Sequence, residues 1–357
     1  MQPTPTGPAS PTLAEQVSRL YDLIAGYHLT NLIEIAREIG VWDVIAARPG
    51  IASASLAAEL GTDPAYTDVL CRTAFAFELI QRDGDGWRMA PHMDAILGDP
   101  DSAFYLGRAP RVHLAIGSED YPDLADRLRN GSVVPYQDHG DALIQEVGDS
   151  LRSLPRMFVD LVLPRLPSLG ARLASGARVL DLGCGAGWAI VELAERFPAS
   201  TVDGADIEPR SVALANERID GHGLAERCMA RLLGPDGLTD EARYDVITMF
   251  LVVHEIRPEI KDSVLAAAAR ALAPGGSLVV FDEAYPETDD ALRTMPSRFT
   301  AVAQWFELTW GNQIDTAAEL RARCTRAGLT LADETTFSRF MILVAEKPAD
   351  SADGAGQ

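Results

Sequence analysis

The run Val179-Leu180-Asp181-Leu182-Gly183-Cys184-Gly185-Ala186-Gly187 holds the residues of this chain best suited to chemistry. Its apolar start reads as a buried parallel strand, and the apolar pattern from Trp188 to Phe197 reads as the helix that follows. A strand that turns sharply into a helix beneath a ligand needs residues without Cβ, because the backbone must come close and adopt positive φ. Asp181 stands at the strand end, where a carboxylate can face a cationic or hydroxyl-rich ligand. The spacing is G-x-G-x-G, and the last glycine of the dinucleotide fingerprint would fall on Trp188. The loop therefore suits a ligand without phosphates.

The next strand, Thr201 to Ile207, carries Asp206 close to the offset of about 20 residues at which an acidic side chain meets ribose hydroxyls. A carboxylate there accepts two hydrogen bonds from a vicinal diol. The alternative is a simple cap on the helix from Glu208 to Asp220.

Asp181 to Gly187, Asp206, the strand Tyr244 to Phe250 and the turn Ala273-Pro274-Gly275-Gly276 resemble the motifs of class I S-adenosylmethionine-dependent methyltransferases. With its N-terminal half included, the chain resembles the two-domain small-molecule O-methyltransferases of plants and of bacterial secondary metabolism, over residues 13 to 347. The resemblance implies an α/β fold: a Rossmann-like domain with a mostly parallel seven-stranded sheet, and an N-terminal helical, winged-helix-like dimerisation domain. It implies S-adenosylmethionine as cofactor, leaving as S-adenosylhomocysteine. Asp181, Gly183, Gly185, Gly187, Asp206, Ile207, Arg231, Leu232 and Phe250 are its expected contacts. Many relatives place an aspartate at the end of the third strand, where this chain has Met229-Ala230-Arg231-Leu232; Arg231 can stack on adenine or face solvent.

The same resemblance implies a general base at His254, with Glu255 where relatives carry aspartate and Glu283 as the acid that orients the histidine. An imidazole suits the task because its pKa lies near working pH. The alternatives are a histidine that packs or caps a helix start and a solvated loop carboxylate. The family's second acidic residue is expected near Gly311 to Thr316, but Ile314 occupies the approximate position. That departure leaves room for C-methylation at a nucleophilic indole or keto-acid carbon instead of O-methylation. Tyr21, His28, Tyr136, His139, Met157, Trp305 and Trp310 are the expected contacts of a small aromatic or enolic acceptor, with core packing as the alternative for each aromatic. His254 could meet Glu255, Asp282 or Glu307 around a metal, but no second histidine accompanies them and neighbouring residues on a helix point apart, so no metal is expected.

These residues need elements to hold them. Strands are expected at 178–181, 201–206, 227–232, 245–250, 277–282, 330–334 and 340–346, alternating with helices up to the last antiparallel pair. Ligands on such sheets sit beyond the carboxyl ends of the strands, here beside Gly183 and Asp206. The segment 12–110 reads as helices followed by a hairpin around Asp83-Gly84-Asp85-Gly86, 111–168 as a helical roof over the substrate, and 169–347 as the cofactor domain. Residues 1–11 and 348–357 read as disordered tails.

A winged-helix order could also belong to a DNA-binding regulator that senses the cofactor. The helix that would enter the groove, Pro64 to Leu79, offers only Arg72 against Asp68 and Glu78, and the chain's formal net charge is -21. Both features disfavour nucleic acid and favour a homodimer built through the N-terminal domain. The four cysteines are scattered without a C-x-x-C pair, and neither a signal peptide nor an apolar run of about 18 residues is present. A cytoplasmic enzyme without membrane partners is the resulting expectation.

Overall fold

The computed structural model describes residues 10–349, so the expected disordered tails fall outside it except at residues 10–11 and 348–349. The chain divides at Leu114/Ala115 into two compact units. In the N-terminal unit, helix α1 (Leu13–Glu38) starts at a capping box: Thr12 Oγ1 accepts from Glu15 N–H and the Glu15 carboxylate accepts from Thr12 N–H. Gly40, at φ +84°, breaks it from α2 (Val41–Ala47). Helices α3 (Ser53–Leu60) and α4 (Pro64–Ala76) follow, the latter capped by Asp63, whose Oδ1 accepts from Ala65 and Tyr66 N–H at 2.8 and 3.1 Å. Strands β1 (Ile80–Asp83) and β2 (Gly86–Met89) form the expected hairpin, with Asp83 opposite Gly86 and Gly84 at φ +58° in the turn. Trp42, Ile45, Leu56 and Trp87 fill this unit's core. Ser53, a natural cap by type, instead takes the Trp87 indole N–H at 2.8 Å and donates to Asp68.

Helix α5 (Ala109–Asp120) runs across the division and is followed by α6 (Leu124–Asn130), α7 (Asp141–Ser150), α8 (Ser153–Met157) and α9 (Pro167–Ala174). The helical segment from 115 onward thus groups with the sheet unit. The sheet contains β3 (Arg178–Leu182), β4 (Thr201–Asp206), β5 (Cys228–Leu232), β6 (Tyr244–Phe250), β7 (Leu272–Glu283), β8 (Thr330–Phe337) and β9 (Phe340–Glu346). Their order is β5-β4-β3-β6-β7-β9-β8, parallel except for β9, which pairs antiparallel with both neighbours. This is the expected seven-stranded Rossmann-like arrangement. The largest boundary difference is at Ala273-Pro274-Gly275-Gly276, which belongs to β7 and whose irregularity appears as a register shift opposite Tyr244 and Val246; β8 also runs on to Phe337.

Helices α10 (Trp188–Arg196), α11 (Pro209–Gly221), α12 (Lys261–Ala271), α13 (Asp289–Leu292), α14 (Met295–Trp310) and α15 (Ala317–Arg326) complete the unit. Alternation along the central strands feeds two cores. Val179, Val246, Val279, Phe281 and Ile342 point to one face; Leu180, Ile247, Leu278, Val280 and Leu343 point to the other. Phe281 is fully buried against Phe158, Phe250 and Phe340, so Phe281→Ala should cost about 3–5 kcal/mol. Strand order reverses between β3 and β6, and a binding crevice belongs at the carboxyl ends there.

Candidate active site

A cavity of about 770 Å³ opens at that crevice. Its floor is backbone. Gly183 and Gly185 line it at φ +76° and +49°, and a Cβ on Gly185 would meet nothing within 4 Å, so the main chain itself faces the open space. A Cβ on Gly183 would lie 2.5 Å from the Val252 side chain. Gly187 is off the wall: at φ +83° it caps α10, and a Cβ there would strike the Ala215 backbone of α11 at 2.9 Å. Its glycine serves helix packing.

Asp206 binds the loop together. Its Oδ2 accepts from Gly185 N–H at 2.8 Å and its Oδ1 from Glu208 N–H at 2.9 Å, while it also lines the cavity. The cap of α11 is Glu208, which accepts from Arg210 and Ser211 N–H. Asp181 Oδ1 accepts from the Thr248 hydroxyl at 2.7 Å, and burial pushes its carboxyl up to about 7 against that hydrogen bond. Ile207 and Phe250 stand on the wall as expected. Arg231 and Leu232 do not. The Arg231 guanidinium pairs with Asp240, and Leu232 is half exposed; Leu233, held by its N–H to Asp206 O at 2.7 Å, reaches the cavity in its place.

His254 sits on a single 3-10 turn, Val253–Glu255, after β6. The turn is entered through Leu251 at φ +55°, a left-handed conformation that costs of order 1–3 kcal/mol in a residue with a side chain. Its N–H donates to Phe281 O at 2.8 Å, which holds the turn against β7. The imidazole Nδ1 lies 2.5 Å from Asp282 Oδ1, and Asp282 Oδ2 accepts the N–H groups of Val253 and His254 at 2.8 and 3.2 Å. The carboxylate that meets the imidazole is therefore Asp282 and not Glu283. Consecutive strand residues face opposite ways, and Glu283 turns to Arg339 at 2.9 Å.

On the other side of the ring, Nε2 is 3.8 Å from Glu307 Oε1, whose second oxygen accepts from Asn312 Nδ2 at 3.0 Å. The second acid expected at Ile314 thus comes from α14. Ile314 is buried, with its N–H bonded to Gln304 at 2.8 Å. Glu255 also approaches: His254, Glu255 and Glu307 each bring an atom within 4.8 Å of the others. Glu255 lines the cavity; His254 lies behind it, 9% exposed. Burial pulls the imidazole down, but Asp282, Glu307 and Glu255 outweigh it, and the ring is pushed up to about 10. Burial, with the neighbouring carboxylates and against His254, pushes Glu255 up to about 8. These groups titrate as a unit.

Tyr136 and Trp310 stand on the cavity wall with ring centroids 5.5 Å apart. The other expected acceptor contacts lie elsewhere. His139 packs edge-on behind Trp310, Met157 packs against the core beside Phe158, and Trp305 is 40% exposed away from the cavity. Tyr21 and His28 lie exposed on α1 in the N-terminal unit. Sequence reasoning missed Asp282 as the orienting acid, Glu307 as its counterpart, and Asn312. Strand alternation from the buried Phe281 carried the signal for the first, and a lone carboxylate in the apolar Trp305-Phe306-Glu307 stretch carried it for the second.

Residues 155–334 match a family described as a methyltransferase domain. The chain is 32% identical over 152 residues to a trans-aconitate 2-methyltransferase of Rhodopseudomonas palustris, 43% of this chain and 54% of that one. It thus spans about half the length of such curated relatives. A longer match joins it to a 3-hydroxy-5-methyl-1-naphthoate 3-O-methyltransferase of Streptomyces sahachiroi, 27% identical over 303 residues, 81% of this chain and 85% of that one. Among solved structures, human N-acetylserotonin methyltransferase in complex with SAM superposes with a TM-score of 0.70 at 18% identity, covering 96% of this chain and all of that one. An O-methyltransferase family protein of Burkholderia thailandensis gives 0.69 at 20% identity, with 96% and 100% coverage.

Proposed function

Since the chain belongs to the methyltransferase-domain family, we propose that it is an S-adenosylmethionine-dependent O-methyltransferase acting on a small aromatic or enolic hydroxyl compound of secondary metabolism. The observation that carries this reading is a buried histidine ringed by carboxylates at the edge of a cavity floored by a glycine loop. The floor fits the cofactor. Gly185 leaves its backbone bare to the cavity, and Asp206 retains lone pairs for a ribose diol after holding Gly185 and Glu208. When bound, S-adenosylmethionine supplies a methyl group already activated on a sulfonium, with a neutral leaving group.

The protein's work is then placement and proton removal. Tyr136 and Trp310 offer a flat apolar face to the acceptor. The hydroxyl proton leaves through Glu255, the cluster member on the wall, and His254 holds the negative charge of the carboxylates around it. Asp282 fixes Nδ1, so the ring keeps Nε2 toward Glu307. His254 is thereby the centre of a proton-accepting unit rather than a lone base.

The N-terminal unit supports a homodimer. Leu13, Leu20, Tyr21, Leu23 and Tyr27 of α1 are each at least 60% exposed, an apolar face that a second copy would cover. Tyr21 and His28 would then belong to that interface or to the partner's cavity. Arg72 is paired with Asp68 at 2.6 Å, which leaves α4 poorly suited to DNA. Four buried free cysteines and the lack of any helix long and apolar enough to cross a membrane among the described residues fit a cytoplasmic setting. Sedimentation at micromolar concentration should show a dimer; a monomer would refute the interface.

The activity is tested with S-adenosylmethionine labelled with carbon-13 on its methyl group and with 3-hydroxy-1-naphthoate as acceptor, chosen from the Streptomyces relative. Label on oxygen is the expected product. Label on a ring carbon would establish the C-methylation alternative, and failure of the protein to bind S-adenosylhomocysteine would overturn both.

A further inference from the structure

We infer that Asp120 is a positioning residue for the acceptor: buried at the end of α5, it sets the Tyr136–Trp310 pair as an aromatic wall. This rests on the reading of an aromatic acceptor. Asp120 is 1% exposed. Its Oδ2 accepts the Trp310 indole N–H at 2.9 Å, and its Oδ1 accepts from Arg127 Nη1 at 3.0 Å and lies 3.1 Å from His139 Nε2. His139 Nδ1 in turn lies 3.2 Å from the carbonyls of Pro135 and Tyr136. One carboxylate therefore fixes Trp310 directly and the Tyr136 segment through His139. Val134 N–H, bonded to Thr309 O at 2.9 Å, ties that segment to α14 a second time.

A carboxylate this buried is retained only where charge and donors meet it. Arg127 supplies the charge. The remaining partners are the indole N–H of Trp310, on the cavity wall, and the ring of His139, which packs behind it and lies against the Tyr136 carbonyl. Trp310 also follows Glu307 by three residues, so the two share one side of α14. Fixing the indole thus fixes the acceptor ring relative to the proton-accepting unit. Without Asp120, the indole N–H loses its acceptor and the ring its anchor, while the glycine loop is untouched.

The test is calorimetric titration of 3-hydroxy-1-naphthoate into the protein saturated with S-adenosylhomocysteine, for wild type, Asp120→Ala, Trp310→Phe and the double variant. Asp120→Ala should weaken the naphthoate about tenfold, the size of one lost anchoring contact, and leave S-adenosylhomocysteine affinity unchanged. The double variant should lose clearly less than the sum of the two single losses, because part of the Asp120 effect runs through the indole. Should Asp120→Ala fail to fold, Asp120→Asn, which keeps one oxygen for the indole, should show a smaller loss of the same kind. Unchanged naphthoate affinity, additive losses, or equal loss of both ligands would overturn the assignment. A wild-type protein that binds S-adenosylhomocysteine but not the naphthoate would overturn the wall and leave the donor reading standing. One that binds neither would overturn the donor reading as well.

Discussion

The floor and the wall of the cavity are built in opposite ways. The floor is main chain: Gly183 and Gly185 present backbone, and the Asp206 carboxylate that accepts the Gly185 N–H lies only 21 residues away. The wall is side chains gathered from afar: Trp310 is held on Asp120 at a separation of 190 residues, and behind the wall His254 is held on Asp282 at 28. A floor made of backbone holds whatever shape the loop dictates and tolerates little added volume. A wall made of side chains can exchange chemistry without disturbing the floor. Floor variants should therefore change donor affinity and leave the chemical step alone, and wall variants should do the reverse.

The largest break in that contrast should come at Glu255. Glu255→Gln removes the proposed proton acceptor on the wall and should lower kcat by about 10²–10⁴, while calorimetry shows unchanged S-adenosylhomocysteine affinity. Loss of donor affinity instead would move Glu255 to the floor. Asp206→Ala tests the opposite case. It removes two hydrogen bonds to a carboxylate, worth about 1.5–3 kcal/mol each before compensation, and should raise the donor Kd with kcat nearly intact at saturation.

The glycines refine the comparison within the floor. Gly185→Ala meets no neighbour and pays only for its φ, about 1–2 kcal/mol. Gly183→Ala carries the same strain and must also push Val252, a wall residue, aside. Gly183→Ala should weaken the donor more; equal losses would refute the close packing there.

Titration separates the wall again. His254 is raised from 6.5 to about 10, so the stability it contributes is fully present below pH 6.5 and is lost as pH rises toward 10. Glu255 is raised from 4.5 to about 8, so the folded state binds its proton more tightly and stability again falls between those values. Urea midpoints should decline across pH 6.5–10 in wild type and decline less in His254→Gln. Over the same range kcat/KM should rise through an apparent pKa near 8 as the unit loses its proton, an increase that Glu255→Gln abolishes. A profile that turns near 6.5 would restore His254 as a lone base. The smallest expected effect is from a chelator: the cluster of His254, Glu255 and Glu307 handles a proton in this account, and EDTA should leave turnover unchanged. A loss restored by a divalent cation would contradict it.

The same contrast explains what the sequence discloses. The strand, glycine loop and Asp206 are legible because their geometry is local: positive φ, absent Cβ and a fixed offset are written within one strand–helix–strand unit. The mostly parallel sheet and the antiparallel last pair follow from alternation and a short turn. The wall is not legible in this way. Glu283 stands one residue from Asp282, and only the alternation of β7 decides which carboxylate faces His254. Glu307 replaces the acid expected at Ile314 because α14 brings it to the ring from another direction. Arg231 and Leu232 fall off the wall because a single ion pair to Asp240 and a single backbone bond at Leu233 re-aim the end of β5. Such outcomes depend on tertiary neighbours that no spacing records.

The proton-accepting unit is the centre of the account, and one substitution tests it most directly. Turnover of His254→Ala should be measured with 3-hydroxy-1-naphthoate at saturating S-adenosylmethionine, beside its affinity for S-adenosylhomocysteine. In this variant kcat should fall by about 10²–10⁴ with that affinity intact, because the carboxylates lose the cation that lets them act. Turnover close to wild type would contradict it.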